Sequence, residues 1–157
     1  LQDGVDMVGI ELKGSPGFTV GCAIEPYADD RALEAQLASV GEKVKAGAQF
    51  IVTPPVFDLD VFADLLERTR DLGVPIIPTV FLLKSVGIAR YMATTLPAYR
   101  ISEALIQRIR QAQNREMECL RIAGETIAKL KGLAQGVQIV TLGWEHTLPD
   151  ILDYAGM

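Results

Sequence analysis

Residues 42–53 read EKVKAGAQFIVT. The first part closes a stretch in which Leu33, Leu37, Val40 and Val44 recur at helical spacing. Gly47 then stands where a helix commonly exits through a glycine. The segment from Gln49 to Thr53 (QFIVT) is a short β-branched run without polar alternation, the pattern of a strand covered on both faces. Helix, glycine and buried strand follow one another with nothing between, which is the signature of a βα-repeating chain.

The same grammar extends in both directions. Phe18 to Ile24 (FTVGCAI), Val74 to Val80 (VPIIPTV) and Val137 to Leu142 (VQIVTL) are further strand candidates. Val61, Phe62, Leu65 and Leu66 form a second helical stripe, and Val86 to Ala93 a shorter helix that ends before Pro97. From Glu103 to Leu133 the stripe of Leu105, Ile109, Ala112, Leu120, Ala123, Ile127 and Leu130 is interrupted by Glu116, so two helices separated near Asn114 are expected. Asp29 and Asp30, Asp58 and Asp60, Ser85 and Ser102 stand where N-caps belong, and Thr147 to Asp150 reads as a capping box. Gly73, Gly132 and Gly136 repeat the helix exit seen at Gly47.

The order β-α-β-α-β-α-α-β-α implies an α/β fold with parallel strands and right-handed crossovers. Two architectures compete: an open doubly wound sheet, and part of a (β/α)8 barrel, which when complete takes about 250 residues. No G-x-G-x-x-G follows the first strand, so a Rossmann site has no fingerprint here.

Composition narrows the function. The chain has 157 residues, 49% of them hydrophobic, with 15 Lys+Arg against 20 Asp+Glu and a net charge of −5. That is enough for one domain with a sizeable core and too apolar for disorder. The acidic balance argues against the basic face that nucleic acid requires, so no nucleic-acid partner is expected. The longest apolar run, Val74 to Leu83, is far short of the ~20 residues that span a bilayer. No basic-then-apolar leader opens the sequence. Cys22 and Cys119 form no CxxC and are expected as two buried, reduced thiols, which points to the cytoplasm.

In either parallel architecture, ligands gather at the carboxyl ends of the strands. Those ends are Glu25-Pro26-Tyr27, Thr53-Pro54-Pro55, Thr79 to Phe81 with Lys84, and Gly143-Trp144-Glu145-His146. Acids, a base, hydroxyls and aromatics on one rim suit a small-molecule site with stacking surfaces. Each candidate also has a structural reading. Trp144 stacks on a planar ligand or closes the core, Glu25 is a ligand contact or a solvated carboxylate, and His146, lacking any ligand-spaced partner, caps or is catalytic. Lys43 complements the helix C-terminus or touches a phosphate. Gly14 to Gly17 lacks the residues of a Walker loop and reads as a turn. No metal site is expected.

As strings, these segments resemble the methylenetetrahydrofolate reductase family. ELKGSPGFTVGCA (11–23) resembles the stretch leading into the family's fifth barrel strand. EKVKAGAQFIVT resembles the helix-turn-strand passage after it. VPIIP with Leu83-Lys84-Ser85 resembles the seventh strand and its loop, and GVQIVTLGWE (136–145) with Pro149 to Leu152 the eighth strand and last helix. The resemblance runs along essentially the whole chain, residues 1–157, and implies a single partial domain: four βα units forming the C-terminal half of a (β/α)8 TIM barrel.

The resemblance implies an oxidoreductase that uses FAD to reduce 5,10-methylenetetrahydrofolate to 5-methyltetrahydrofolate, in one-carbon and methionine metabolism. It implies FAD contacts at Glu25, Pro26, Asp29, Gln36, Ser39 and Lys43, and a folate and nicotinamide face at Thr53, Pro54 and Trp144. The family's pterin-holding glutamine is Pro54 here, and an arginine common near the end of the eighth strand is Trp144. The catalytic glutamate belongs to the family's first strand, so no catalytic residue is assigned in this chain. The electron donor is NADH, NADPH or a redox protein. The partner expected is the N-terminal half-barrel or a second copy. Two other classes stay open: a non-catalytic half-barrel interaction module, and an intact open-sheet protein with another small ligand.

Overall fold

A computed structural model describes residues 4–14, 17–25 and 29–157. Among the described residues the elements are β1 (Gly21–Ala23), α1 (Asp30–Lys45), β2 (Phe50–Pro55), α2 (Leu59–Thr69), β3 (Ile76–Phe81), α3 (Val86–Thr95), α4 (Glu103–Gln111), α5 (Arg115–Leu130), β4 (Gln138–Val140) and α6 (Leu148–Tyr154). Short 3-10 turns occupy Arg70–Leu72, Pro97–Tyr99 and Glu145–Thr147.

All three strand pairings are parallel, and the spatial order is β1-β2-β3-β4, the order of the chain. A doubly wound sheet reverses its strand order at a switch point. This sheet has no reversal, so of the two competing architectures it has the order of a barrel segment.

The helices start where side-chain chemistry starts them. Asp29 accepts from the Ala32 amide, Asp58 from Asp60 and Val61, Ser85 from Ile88, Ser102 from Leu105, and Asn114 from Met117. The Asn114 cap divides the long helical segment into α4 and α5, and Glu116 falls in the first turn of α5. Gly47 (φ 113°) and Gly73 (φ 67°) turn the chain out of a helix in the left-handed region that glycine tolerates. Gly132 and Gly136 are not among the positive-φ glycines, so the last exit uses ordinary backbone. Thr147 is a correction: it makes no side-chain cap to α6, because its hydroxyl donates instead to the Trp144 carbonyl at 2.7 Å within the preceding 3-10 turn.

Ile51, Ile76, Val80 and Leu82 point from the sheet into one core with Leu33, Val40, Phe62, Leu65, Ile109, Leu120, Ile127 and Ile151 from the helices. Arg68 ties α1 to α2 by bonding Asp30, Glu34 and Asp64 at 2.9–3.0 Å. Arg108 of α4 holds Glu125 of α5 through two bonds of 2.7 and 2.8 Å and Glu118 through a third of 2.7 Å.

The opposite face of the sheet differs from the expectation of strands covered on both sides. Phe50, Val52, Ile77 and Val140 alternate with the core residues, stay half-buried and lie outside the core cluster. Within the described residues, nothing packs that face as the helices pack the other. The first strand is also shorter than its sequence run. Phe18 and Val20 are 54% and 48% exposed beside an edge strand that pairs only with β2. Cys119 is buried as expected, whereas Cys22, on that edge strand, is only half-buried.

Candidate functional site at the carboxyl rim

Each strand runs toward the same end of the sheet, so the residues that follow β1 to β4 share one rim. At its centre β2 is irregular: Val52 pairs with Ile77 but Pro55 pairs with Thr79, so one extra residue is accommodated on β2. This is a β-bulge, a device that re-aims side chains near strand ends. It occurs where Pro54 and Pro55 have no N–H for the ladder. Thr53 and Thr79 fill the gap. The Thr79 hydroxyl donates to the Thr53 carbonyl at 2.7 Å, the Thr79 amide donates to the Thr53 hydroxyl at 3.3 Å, and the Thr53 hydroxyl donates to the Pro54 carbonyl at 2.8 Å. Both threonines are 5% exposed.

Gln138 completes this chain across the sheet. Directly paired with Thr79, it holds its side-chain amide 3.2 Å from the Thr79 hydroxyl oxygen. Because the neighbouring Ile139 packs against the core, Gln138 lies on the open face. The sequence signal for it is a lone amide in the run VQIVTL, outside the sequence-predicted site positions.

Beyond β4 the chain makes a strained turn. Leu142 has φ 51°, unusual for a side chain branched at Cγ, and Gly143 has φ 85°. Three hydrogen bonds pin it. Lys84 donates to the Leu142 carbonyl, and Glu145 Oε1 accepts from the Gly143 amide at 3.0 Å and the Thr141 hydroxyl at 2.6 Å. That hydroxyl, with the Glu145 and Gly143 amides and the Lys84 charge, holds the Glu145 carboxyl below the usual carboxylate range. The turn presents Trp144, half-buried, whose ring centroid lies 4.9 Å from Lys84 Nζ and 6.4 Å from the His146 ring. His146 is exposed and makes no metal cluster; no group of three or more ligating side chains exists among the described residues.

Beside the bulge, an apolar crevice is lined by residues that include Thr53, Pro54, Phe57, Val61, Phe62 and Tyr99.

The sequence-predicted FAD positions are spread over two ends of the molecule. Glu25 follows β1, and its amide donates to Gln36 Oε1 at 3.4 Å, so these two meet at the rim. Asp29 is spent on capping α1. Ser39 is exposed one turn further along α1. Lys43 lies in the last turn of α1, about 20 Å along the axis from its first residue, and lines a hollow with Val20, Gly21, Cys22, Gly47 and Ala48 at the amino end of β1. Its placement at the helix C-terminus suits the helix dipole. Pro26 lies outside the described residues, as do Tyr27 and part of the Gly14 to Gly17 turn. Of the folate positions, Thr53 and Pro54 sit together in the bulge, and Trp144 stands across the rim beyond β3.

Comparison with known proteins settles the ancestry. The family model of methylenetetrahydrofolate reductase matches residues 3–156. The chain belongs to the methylenetetrahydrofolate reductase family. It is similar to methylenetetrahydrofolate reductase 2 of Schizosaccharomyces pombe, 27% identical over 130 residues that cover 74% of this chain and 20% of that protein. It is also similar to the probable methylenetetrahydrofolate reductase (NADPH) of Caenorhabditis elegans, 24% identical over 156 residues that cover 89% of this chain and 22% of that protein. The chain thus spans about a fifth of the length of these methylenetetrahydrofolate reductases. No helix among the described residues is long and apolar enough to cross a membrane.

Proposed function

We propose that this chain supplies four βα units to a flavin-dependent reduction of 5,10-methylenetetrahydrofolate to 5-methyltetrahydrofolate. The observation that carries the reading is the uninterrupted strand order of a methylenetetrahydrofolate reductase-family sheet, which brings Thr53, Thr79, Lys84 and Trp144 to one rim.

The described residues fit a planar cofactor. Val52, Ile77 and Val140 offer apolar side chains on the open face, and Gln138 offers an amide held beside Thr79. FAD, when bound in its reduced form, supplies the hydride that turns the methylene bridge into a methyl group. The chain's own residues bind and orient. Glu25 and Gln36 lie on the β1 side, and Thr53 and Pro54 set the floor of the bulge. Pro54 has no amide with which to hold a pterin, so shape and stacking replace hydrogen bonding at that position. The proton that balances the hydride is assigned to no residue of this chain; the family resemblance places it on a glutamate of the barrel's first strand. The electron donor would be NAD(P)H or a redox protein; NADPH is named for the C. elegans relative.

The open face and the edges of β1 and β4 favour a second reading: a half-barrel that pairs with another four-unit half or with a second copy of itself. One experiment addresses both. The purified chain is mixed with FAD, passed over gel filtration, and read by visible absorbance and elution volume. Retained flavin supports the reductase reading. Colourless protein at a dimer's volume favours the interaction module, and colourless monomer removes flavin binding by these four units alone and self-pairing.

A further inference from the structure

Among the described residues, Arg68 is paired with three acids, Arg108 with two, and Lys45, Arg70 and Arg121 with one each. Lys84 is held in another way. Its ammonium donates to the Leu142 carbonyl and lies over the Trp144 ring, two partners that fix its position without cancelling its charge. No carboxylate oxygen among the described residues comes within 4.0 Å of it. Glu145, the acid that senses Lys84, has one oxygen committed to Thr141 and Gly143. The result is an anchored, half-buried cation with hydrogen-bond donors to spare, beside an indole face, at the ligand end of a parallel sheet.

We propose that Lys84 and Trp144 form a recognition site for the anionic group of a planar ligand, the indole bearing on the ring and the ammonium on a carboxylate or phosphate. The site deepens the function proposed above. There, a flavin nucleotide's phosphate and a folate's carboxylate are two sources of the same chemistry. The sequence places Lys84 and Trp144 on one rim, and their contact forms beside the left-handed turn at Leu142.

The chain contains a single tryptophan, so its one indole N–H signal in a 15N-labelled sample reports this site alone. Titrations compare ligands that differ by the anionic group: FMN with riboflavin, folate with pterin, and benzoate with benzamide as probes independent of flavin and folate. Lys84→Met is expected to weaken the anionic member of each binding pair about tenfold, the scale of a charge-assisted hydrogen bond. That loss should exceed the loss of the neutral member, which registers any loosening of the Leu142 turn that Lys84 pins, and Lys84→Arg, which keeps the charge and a donor, should retain most of the difference. If FMN binds more tightly than riboflavin while folate equals pterin, the phosphate is the ligand, and the converse assigns the carboxylate. Should neither FMN nor folate bind while benzoate still outcompetes benzamide through Lys84, the reductase reading fails and this site stands. Equal binding of benzoate and benzamide by the wild-type chain, or equal loss of both in Lys84→Met, overturns it.

Discussion

Thr79 and Thr53 are locked by a reciprocal pair of hydrogen bonds, hydroxyl to carbonyl at 2.7 Å and amide to hydroxyl at 3.3 Å, across the bulge that two prolines impose on β2. Thr79→Val keeps shape and removes the hydroxyl, leaving the Thr53 carbonyl without that donor and Gln138 without its anchor. The expected cost is about 1–3 kcal/mol, read as a lower urea midpoint at unchanged slope. A midpoint within error of wild type would mean that the bulge is held by its surroundings.

Where α5 crosses α6, Gly124 is required by contact. A Cβ there would lie 2.4 Å from Tyr154 Cβ and 2.6 Å from the Ile151 carbonyl oxygen, and the latter is backbone that cannot swing away. Gly124→Ala is therefore expected to destabilise by about 1–3 kcal/mol despite the better helix propensity of alanine. Thermal unfolding tests this, and a variant as stable as wild type would mean that α6 moves freely on α5.

Acid should loosen the α4–α5 pair. The hydrogen bonds from Arg108, and then its charge, hold the Glu125 carboxyl below its ordinary 4.5. A carboxylate with a depressed pKa stabilises the fold above its unfolded value, and that contribution is lost as pH falls through the folded one. Urea midpoints should fall on acidification below about 4.5, and Arg108→Met should flatten that part of the profile. Parallel profiles for the two proteins would remove Glu125 as its origin.

The two thiols should separate kinetically. Cys119 is 1% exposed, and burial first, then the charges of Glu118 and Glu116, push its pKa up to about 11. Cys22 is half-buried on the edge strand. A disulfide-exchange reagent at pH 8 is expected to titrate Cys22 in the native protein and Cys119 only after unfolding. Simultaneous release of both thiols would contradict the burial of Cys119.

What could be read from the sequence was what local chemistry decides. Asp29, Asp58, Ser85 and Ser102 cap helices because a short polar side chain reaches nearby backbone amides, a fact independent of the rest of the chain. Strand limits were less legible. The reading ended β2 at Thr53, yet the strand continues through Pro54 and Pro55 because the bulge and the Val56 amide, bonded to the Thr79 carbonyl at 2.9 Å, carry the ladder past them. Thr147 had the letters of a capping box but not its backbone, because a 3-10 turn precedes α6. A continuous apolar strand reads alike whether its second face is covered or open, so the open side of the sheet left no trace. The family's strings located the rim, whereas the grouping of Thr53, Thr79 and Gln138 depends on a register that no single segment encodes.

The strand order also bears on synthesis. In a doubly wound sheet the first strand lies in the middle and waits for neighbours made much later. Here each strand's first partner is the one translated just before it. When Pro55 leaves the ribosome, β1 and β2 can already hold their mutual register from Gly21–Phe50 to Ala23–Val52, and each later unit adds to an existing edge. The chain can therefore grow its sheet in the direction in which it is made, and an arrest after any strand leaves a shorter copy of the same ladder rather than a different one.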